Sequence, residues 1–419
     1  MVDRESYERV AERIDSYREE MIALQGELTA VPAISPDNGG RGEYAKARVL
    51  KGILDTMAFD AVLSIDAPDD RAEGGVRPNL VCRRGPKDGP TTWIVTHMDI
   101  VPPGELSLWE GDPYQIRVRD GRIYGRGVED NQQDLVASLF AAKALLAEGG
   151  EPKRAFGLVF VADEETASSY GLDYILNQKE NPFGRDDLIV VPDSGNPEGT
   201  LIEIAEKSIL WLRFQTKGKQ CHGSRPDEGR NAFLAASHLV VSLDRGLHGR
   251  YPVEDPLFDP PRSTFQPTRK DANVPNVNTI PGDDVFYMDC RILPRYDLEE
   301  VMNFVRREAD RIEGEWGVTI KVEHVQRVQA PPPTAADAPV VRALKEAVRE
   351  VYGLEARAGG IGAGTVAAYL RRRAYPVAVW SRSDNTAHQP NEYCVIDNMV
   401  GNAKVFAHLF LNGLEDRSP

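Results

Sequence analysis

The stretch TTWIVTHMDIVPPG, residues 91–104, is where the reading of this chain turns. Trp93-Ile94-Val95-Thr96 is an apolar, β-type run, yet it ends in His97, one residue, Asp99 and then prolines at 102 and 103. Proline has no N–H and a fixed φ, so it ends regular strand pairing. His97 and Asp99 therefore sit where a strand leaves a sheet, and residues i and i+2 of an extended chain project to the same side. That placement suits a metal-ligating histidine with a carboxylate that orients it. A strand-end histidine hydrogen-bonded to a nearby aspartate explains the same stretch, so the rest of the chain has to decide.

The same punctuation recurs. AFGLVFVADEE (155–165) ends in Asp163, Glu164 and Glu165, and DLIVVPDSG (187–195) ends around Asp193. GRGVEDNQQ (125–133) places Glu129 and Asp130 after a Gly-Arg-Gly turn and before a helical run. NTAHQPNE (385–392) places His388 beyond the strand-like PVAVWS. Each is unremarkable alone: a DEE loop is usually solvated, PDSG is a generic turn and a lone histidine is seldom a ligand. Functional groups of open α/β sheets gather beyond the carboxyl ends of strands, so these five places can converge. Two histidines and three carboxylates suit zinc, cobalt or manganese. They exceed what one catalytic ion uses and fit two ions sharing a carboxylate, with a further carboxylate left over as general base.

Between these ends, helical and strand-like segments alternate. An opening helix runs to about LTAVPAISP, a second covers 43–58, and NLVCRR is a strand. DLVASLFAAKALLAEGG is a helix with Gly149 and Gly150 as a stop signal. This pattern predicts an α/β layer with helices on both faces. After about residue 207 the character changes to strand (SILWLRFQTKG), helix, a long Pro- and Asn-rich loop over 247–282, strand (VFYMDCRIL), helix and strand (VTIKVEHV). That is a small α+β unit with one open sheet. APPPTAADAP is a linker, after which the α/β character resumes. The expected organisation is a catalytic domain over 1–206 and 333–419, with residues 207–332 inserted as a second domain.

Bulk properties agree. A chain of 419 residues exceeds one ordinary core. Its 41% hydrophobic and 27% charged residues are those of a soluble globular protein. No apolar run approaches the roughly 18 residues of a membrane helix. The charged opening MVDRESYERVAERIDSYREEM has a helical stripe of Tyr7, Val10, Ile14, Tyr17 and Met21, which is not the pattern of a signal peptide. Four scattered cysteines without a CxxC pair read as free thiols of a cytoplasmic protein. A net charge of −15 and no long basic run argue against nucleic acid or anionic membrane as partners.

Taken in order, HMDIVP, YGRGVEDNQQ, VADEE, PDSG and AHQPNE resemble the motifs of the di-zinc acetylornithine deacetylase / succinyl-diaminopimelate desuccinylase / carboxypeptidase G family. CHGSRPDEGRNA, NTIPGDDVFYMDCR and GIGAGTVAA extend the resemblance over nearly the whole chain. It implies a zinc-exopeptidase-like domain with a mixed central sheet flanked by helices, and an inserted α+β, ferredoxin-like lid through which a homodimer forms. It implies two divalent ions per chain, zinc by preference, with His97 and Asp193 on one, Glu165 and His388 on the other and Asp130 bridging. Asp99 would orient His97, and Glu164 would be the general base. His222 would reach the other subunit's site to steady the oxyanion. Asn278 and Arg291 would grip the substrate, the arginine through a carboxylate, and Gly364 and Thr365 would line the pocket.

The implied reaction removes one residue from a small peptide or N-acyl amino acid with a free carboxylate. A deacylase of the acetylornithine or succinyl-diaminopimelate kind is the alternative, and a metal-binding relative without catalysis is a lesser one, since no ligand or base is missing. Asp at position 193 is commoner in the family's peptidases and Glu in its deacylases, which favours peptides. NQQ after Asp130, and the alanine within GIGAGT, depart from the family pattern.

Overall fold

The computed structural model describes residues 4–149 and 154–413. They form two compact units: one holds the described residues up to Ile204, Thr334–Ala358 and those from Thr365 onward, the other Ala205–Pro333 and Gly359–Gly364.

In the first unit, six strands lying wholly within it belong to one sheet and follow the order Ala61–Pro68, Val76–Arg84, Ala155–Val161, Thr91–His97, Leu188–Gly195 and Val377–Ser381. The first three pair antiparallel and the last four parallel, so the sheet is mixed. Every residue of Thr91–His97 and Ala155–Val161 is buried, as expected of strands covered on both faces. Trp93, Val95, Val159, Val161, Ile189 and Val191 share one core with Leu172, Ile175, Val366 and Leu370. The helices Gln132–Ala147 and Ile396–Asn412 pack on each other and against Thr91–His97. The first of these is rich in Ala and Leu and buried almost all round, so its sequence carries no amphipathic stripe. Gly149, with φ +66°, follows its end, while Gly150 lies outside the described residues. The opening helix is two, Arg4–Ser16 and Arg18–Thr29, meeting at Tyr17.

Parallel neighbours end on the same edge. His97 lies opposite Val161, and Val379 opposite Val191. His97, the turn after Val161, Asp193 and the segment after Ser381 therefore leave the sheet together, which is the physical reason that motifs hundreds of residues apart can meet.

The second unit has a four-stranded antiparallel sheet ordered Thr264–Lys270, Asp283–Ile292, Ser208–Lys217, Thr319–Val328. With helices Ala232–Arg250 and Leu298–Trp316 between the strands, this is the βαββαβ ferredoxin-like arrangement. Alternate residues of Asp283–Ile292 are buried. Phe286, Met288, Cys290 and Ile292 join Leu210, Leu212, Phe214, Leu239, Leu243, Val301 and Val305 in its core. Phe214 stacks on Phe286 with ring centroids 4.5 Å apart. The stretch 247–282, expected to be a loop, holds the edge strand Thr264–Lys270 and the short strand Thr279–Ile280. Only Phe265 of the edge strand is buried, and Pro267 interrupts it, so no alternation marked it in sequence. Among the described residues, no helix is long and apolar enough to cross a membrane.

Candidate metal centre

His97 is 2% exposed at the end of its strand. Its Nε2 lies 2.9 Å from Asp130 Oδ1 and 3.2 Å from Asp193 Oδ1. The other Asp130 oxygen lies 3.1 Å from Nε2 of His388, which is also 3.1 Å from Glu165 Oε2. One carboxylate thus faces two different imidazoles with its two oxygens. Ligand atoms of His97, Asp130 and Glu165 fall within 4.8 Å of one another, as do those of His97, Glu164 and Asp193. Glu164 makes no side-chain hydrogen bond among the described residues, although it shares the cluster.

Asp99 sits against the His97 ring and also carries the turn beyond it. His97 Nδ1 meets the backbone carbonyl of Asp99 at 3.0 Å, with the Asp99 carboxylate 3.5 Å away. The two carboxylate oxygens also accept the backbone N–H groups of Glu164 and Glu165, each at 3.0 Å. A single residue thereby sets the imidazole with its main chain and the Glu164-Glu165 turn with its side chain.

The electrostatics of the cluster favour positive charge within it. Burial disfavours a charged His97, but the carboxylates of Asp130, Asp193 and Asp99 outweigh it and hold the imidazole well above its ordinary range. Asp130 and Glu165 push His388 up to about 10. Burial and neighbouring acids raise Glu164 well above the usual carboxylate range. Burial, then Asp130, lifts Glu165 to about 7. A nitrogen-and-carboxylate donor set this acidic fits divalent cations.

The supports of this cluster were not visible in sequence. NQQ after Asp130 is a junction: Asn131 donates to the Pro192 carbonyl at 2.7 Å and to Asp193 at 3.3 Å. Gln132 bonds Thr29 and Gln25 and receives the buried Lys46 ammonium at 2.9 Å. Gln133 reaches the Arg382 carbonyl. Under the Glu164 turn, Arg77 donates twice to Glu43 at 2.5 Å and once to Asp163 at 3.3 Å, all three fully buried. Glu43 accepts the Asp163 N–H in turn. Removing one member of a buried ion pair strands the other charges, at about 3–5 kcal/mol. Arg77→Met should therefore lower stability by about that amount in denaturant unfolding; a loss below about 1 kcal/mol, the worth of an exposed pair, would show that the network is solvated.

In the second unit, Cys221–His222 pairs with Thr279–Ile280, and the Gly223 N–H donates to the Asn278 carbonyl at 2.7 Å, so His222 and Asn278 are neighbours. Both are exposed. The Ser224 N–H donates to His222 Nδ1 at 3.1 Å, which in the neutral ring leaves the proton on Nε2. Arg291 is held by Asp289 through two N–H groups, at 2.7 and 3.1 Å, and donates to the Gly362 carbonyl at 2.9 Å. Gly364 and Thr365 lie between Arg357–Ile361 and Ala367–Arg372, Gly364 exposed and Thr365 buried.

A partly buried carboxylate facing two imidazoles, with further carboxylates beside it, is a donor set suited to divalent metal. The chain belongs to Peptidase family M20/M25/M40, whose family model matches residues 93–412. It is 40% identical to an uncharacterized metallohydrolase of Methanococcus maripaludis, over 93% of this chain and 98% of that one. It is 26% identical to a succinyl-diaminopimelate desuccinylase of Alkalilimnicola ehrlichii, over 80% of this chain and 83% of that one. The fold matches human carnosine dipeptidase 1 with a TM-score of 0.73 at 18% identity, covering 97% and 98% of the two chains. The protein is thus a hydrolytic enzyme acting on amide bonds with divalent metal.

Proposed function

We propose that this chain is a two-ion exopeptidase or dipeptidase that splits a small peptide, or an N-acyl amino acid, bearing a free carboxylate. The observation that carries the reading is Asp130, whose two oxygens face His97 and His388 separately while Glu164 stays unbonded beside them. When bound, the two ions polarise the scissile carbonyl and acidify the attacking water. Glu164 takes the water's proton and returns it to the leaving amine. Asp99 keeps Glu164 and Glu165 in register through their N–H groups. Zinc is the favoured metal, with cobalt and manganese as substitutes.

Residues 207–332 are the inserted lid in this reading. His222, with its Nε2–H free to donate, steadies the oxyanion, and Asn278 beside it contacts the substrate; Gly364 and Thr365 line the pocket. Arg291 binds the substrate carboxylate: three of its five N–H donors are engaged, which leaves two. A homodimer through the lid is supported by exposed Phe233, Leu234 and Val241 on one helix. Beside that helix runs the outer strand Thr264–Lys270, whose far edge is unpaired in its sheet. Four free cysteines support a cytoplasmic setting.

The desuccinylase likeness favours a deacylase as the second reading, whereas Asp193 favours peptides. One panel separates them. Dipeptides, N-acetyl and N-succinyl amino acids, each with a free or amidated carboxyl end, are offered to metal-free enzyme reloaded with zinc, cobalt or manganese. The expected result is two ions per chain, turnover of free-carboxylate dipeptides and little turnover of the amides. Preference for succinyl amino acids would transfer the reading to the deacylase, and equal rates on amides would remove Arg291 from substrate binding.

A further inference from the structure

Two buried acids outside the ligand set are exchanged between the segments that carry Asp130 and His388. Glu392 follows the His388 loop, but its carboxylate serves the other segment. Oε2 accepts from Arg126 Nη1 at 2.7 Å and the Gly127 N–H at 2.9 Å, and Oε1 from the N–H groups of Glu129 and Asp130 at 3.0 and 3.1 Å. Glu129 precedes Asp130, but its carboxylate serves the His388 loop. Oε1 accepts the Asp384 N–H at 2.8 Å, and Oε2 accepts the Thr386 hydroxyl at 2.9 Å, the Ala387 N–H at 3.1 Å and the Thr386 N–H. Glu392 is 0% and Glu129 6% exposed.

The exchange sits where two short strands run antiparallel. Tyr393–Val395 pairs with Arg122–Tyr124, Tyr393 opposite Tyr124, and the Gly125 N–H donates to the Glu392 carbonyl. The loop needs outside support. Asn385, His388 and Asn391 have φ of +59°, +64° and +58°, a left-handed region in which residues with side chains persist only when their surroundings hold them.

We infer that Glu129 and Glu392 are positioning residues forming a reciprocal clamp, which fixes the spacing between the bridging carboxylate and His388 and so lets the two ion positions form together. The two acids divide the labour. Glu129 holds only the loop bearing a ligand of the second position. Glu392 holds the N–H groups of the turn that presents Asp130 to both positions. The inference rests on the two-ion reading above.

The test titrates zinc into metal-free wild type, Glu129→Gln, Glu392→Gln and Thr386→Val by calorimetry, with circular dichroism on each. Glutamine keeps one acceptor oxygen and turns an NH₂ toward N–H donors; valine at 386 removes the hydroxyl that Glu129 shares with the Tyr393 backbone, leaves both acids in place and is the gentler lesion. Partners that orient metal ligands are worth about 10–100-fold in affinity. Glu129→Gln should weaken the second ion by about that factor and spare the first, and Thr386→Val should do the same to a smaller extent. Glu392→Gln should weaken both ions. Wild type binding only one ion overturns the two-ion reading itself. Wild type binding two, with a folded Glu129→Gln that either binds both unchanged or loses both equally, overturns the clamp. If Glu129→Gln does not fold, Thr386→Val decides: an unaltered second ion overturns the clamp.

Discussion

Glu164→Gln is expected to keep both ions and lose about 10²–10⁴-fold or more in turnover, the usual worth of a general base. The substitution is nearly isosteric, and the backbone N–H of residue 164 still donates to Asp99, so the turn should stand. What disappears is the acceptor for the water's proton. The adjacent Glu165→Gln should behave in the opposite way. Its Oε2 is 3.1 Å from His388, so its loss should weaken the second ion before it touches the chemistry. Elemental analysis of both variants, set beside their steady-state rates, separates the roles. Should Glu164→Gln shed an ion while Glu165→Gln retains two, the assignment must be exchanged.

His222→Ala and Glu164→Ala should each be nearly inactive, yet a subunit-exchanged mixture should recover about a quarter of wild-type activity. The number follows from symmetry. Random exchange makes half of all dimers mixed. Each mixed dimer joins the intact Glu164 of one chain to the intact His222 of the other, which gives one good site of two. The tautomer makes the donor role chemically sound. With Nδ1 accepting from the Ser224 N–H, the neutral ring presents Nε2–H, and a positioned donor to a developing oxyanion is worth about 10²–10³-fold. A mixture that demonstrably exchanges subunits and stays inactive would refute the in-trans role, since two residues acting within one chain leave every site defective.

The first experiment rests on residues that chain punctuation singled out in the sequence, whereas His222 came from the family resemblance alone, and the reason is specific. His97, Asp130, Glu164, Glu165, Asp193 and His388 are polar groups at the ends of apolar runs or in the turns that follow them, places where a folded core has no use for them. A parallel sheet brings such ends to one edge, so polarity at apolar boundaries is a local signal of a non-local site. The ferredoxin-like second unit was likewise readable from where its helices fell, except for Thr264–Lys270. An edge strand has one paired side and little burial, and this one carries Pro267, Arg269 and Lys270.

Local pattern therefore determined the α/β character and raised the insertion and the acidic-histidine set as expectations, because burial periodicity and chain punctuation are written residue by residue. Which oxygen faces which imidazole was decided only by the tertiary structure, and so was what holds each one in place. Asp99 serves the Glu164 turn as well as His97. Arg77 neutralises Glu43 and Asp163 beneath that turn. Arg291 already has an internal partner in Asp289. Glu129 and Glu392 support each other's loops. A buried charge and its partner are joined by space rather than by spacing along the chain: Glu392 lies 262 residues from the Asp130 N–H that it accepts. No period or motif encodes that distance; it exists only once the sheet has closed the gap and removed the water that would otherwise have satisfied both groups.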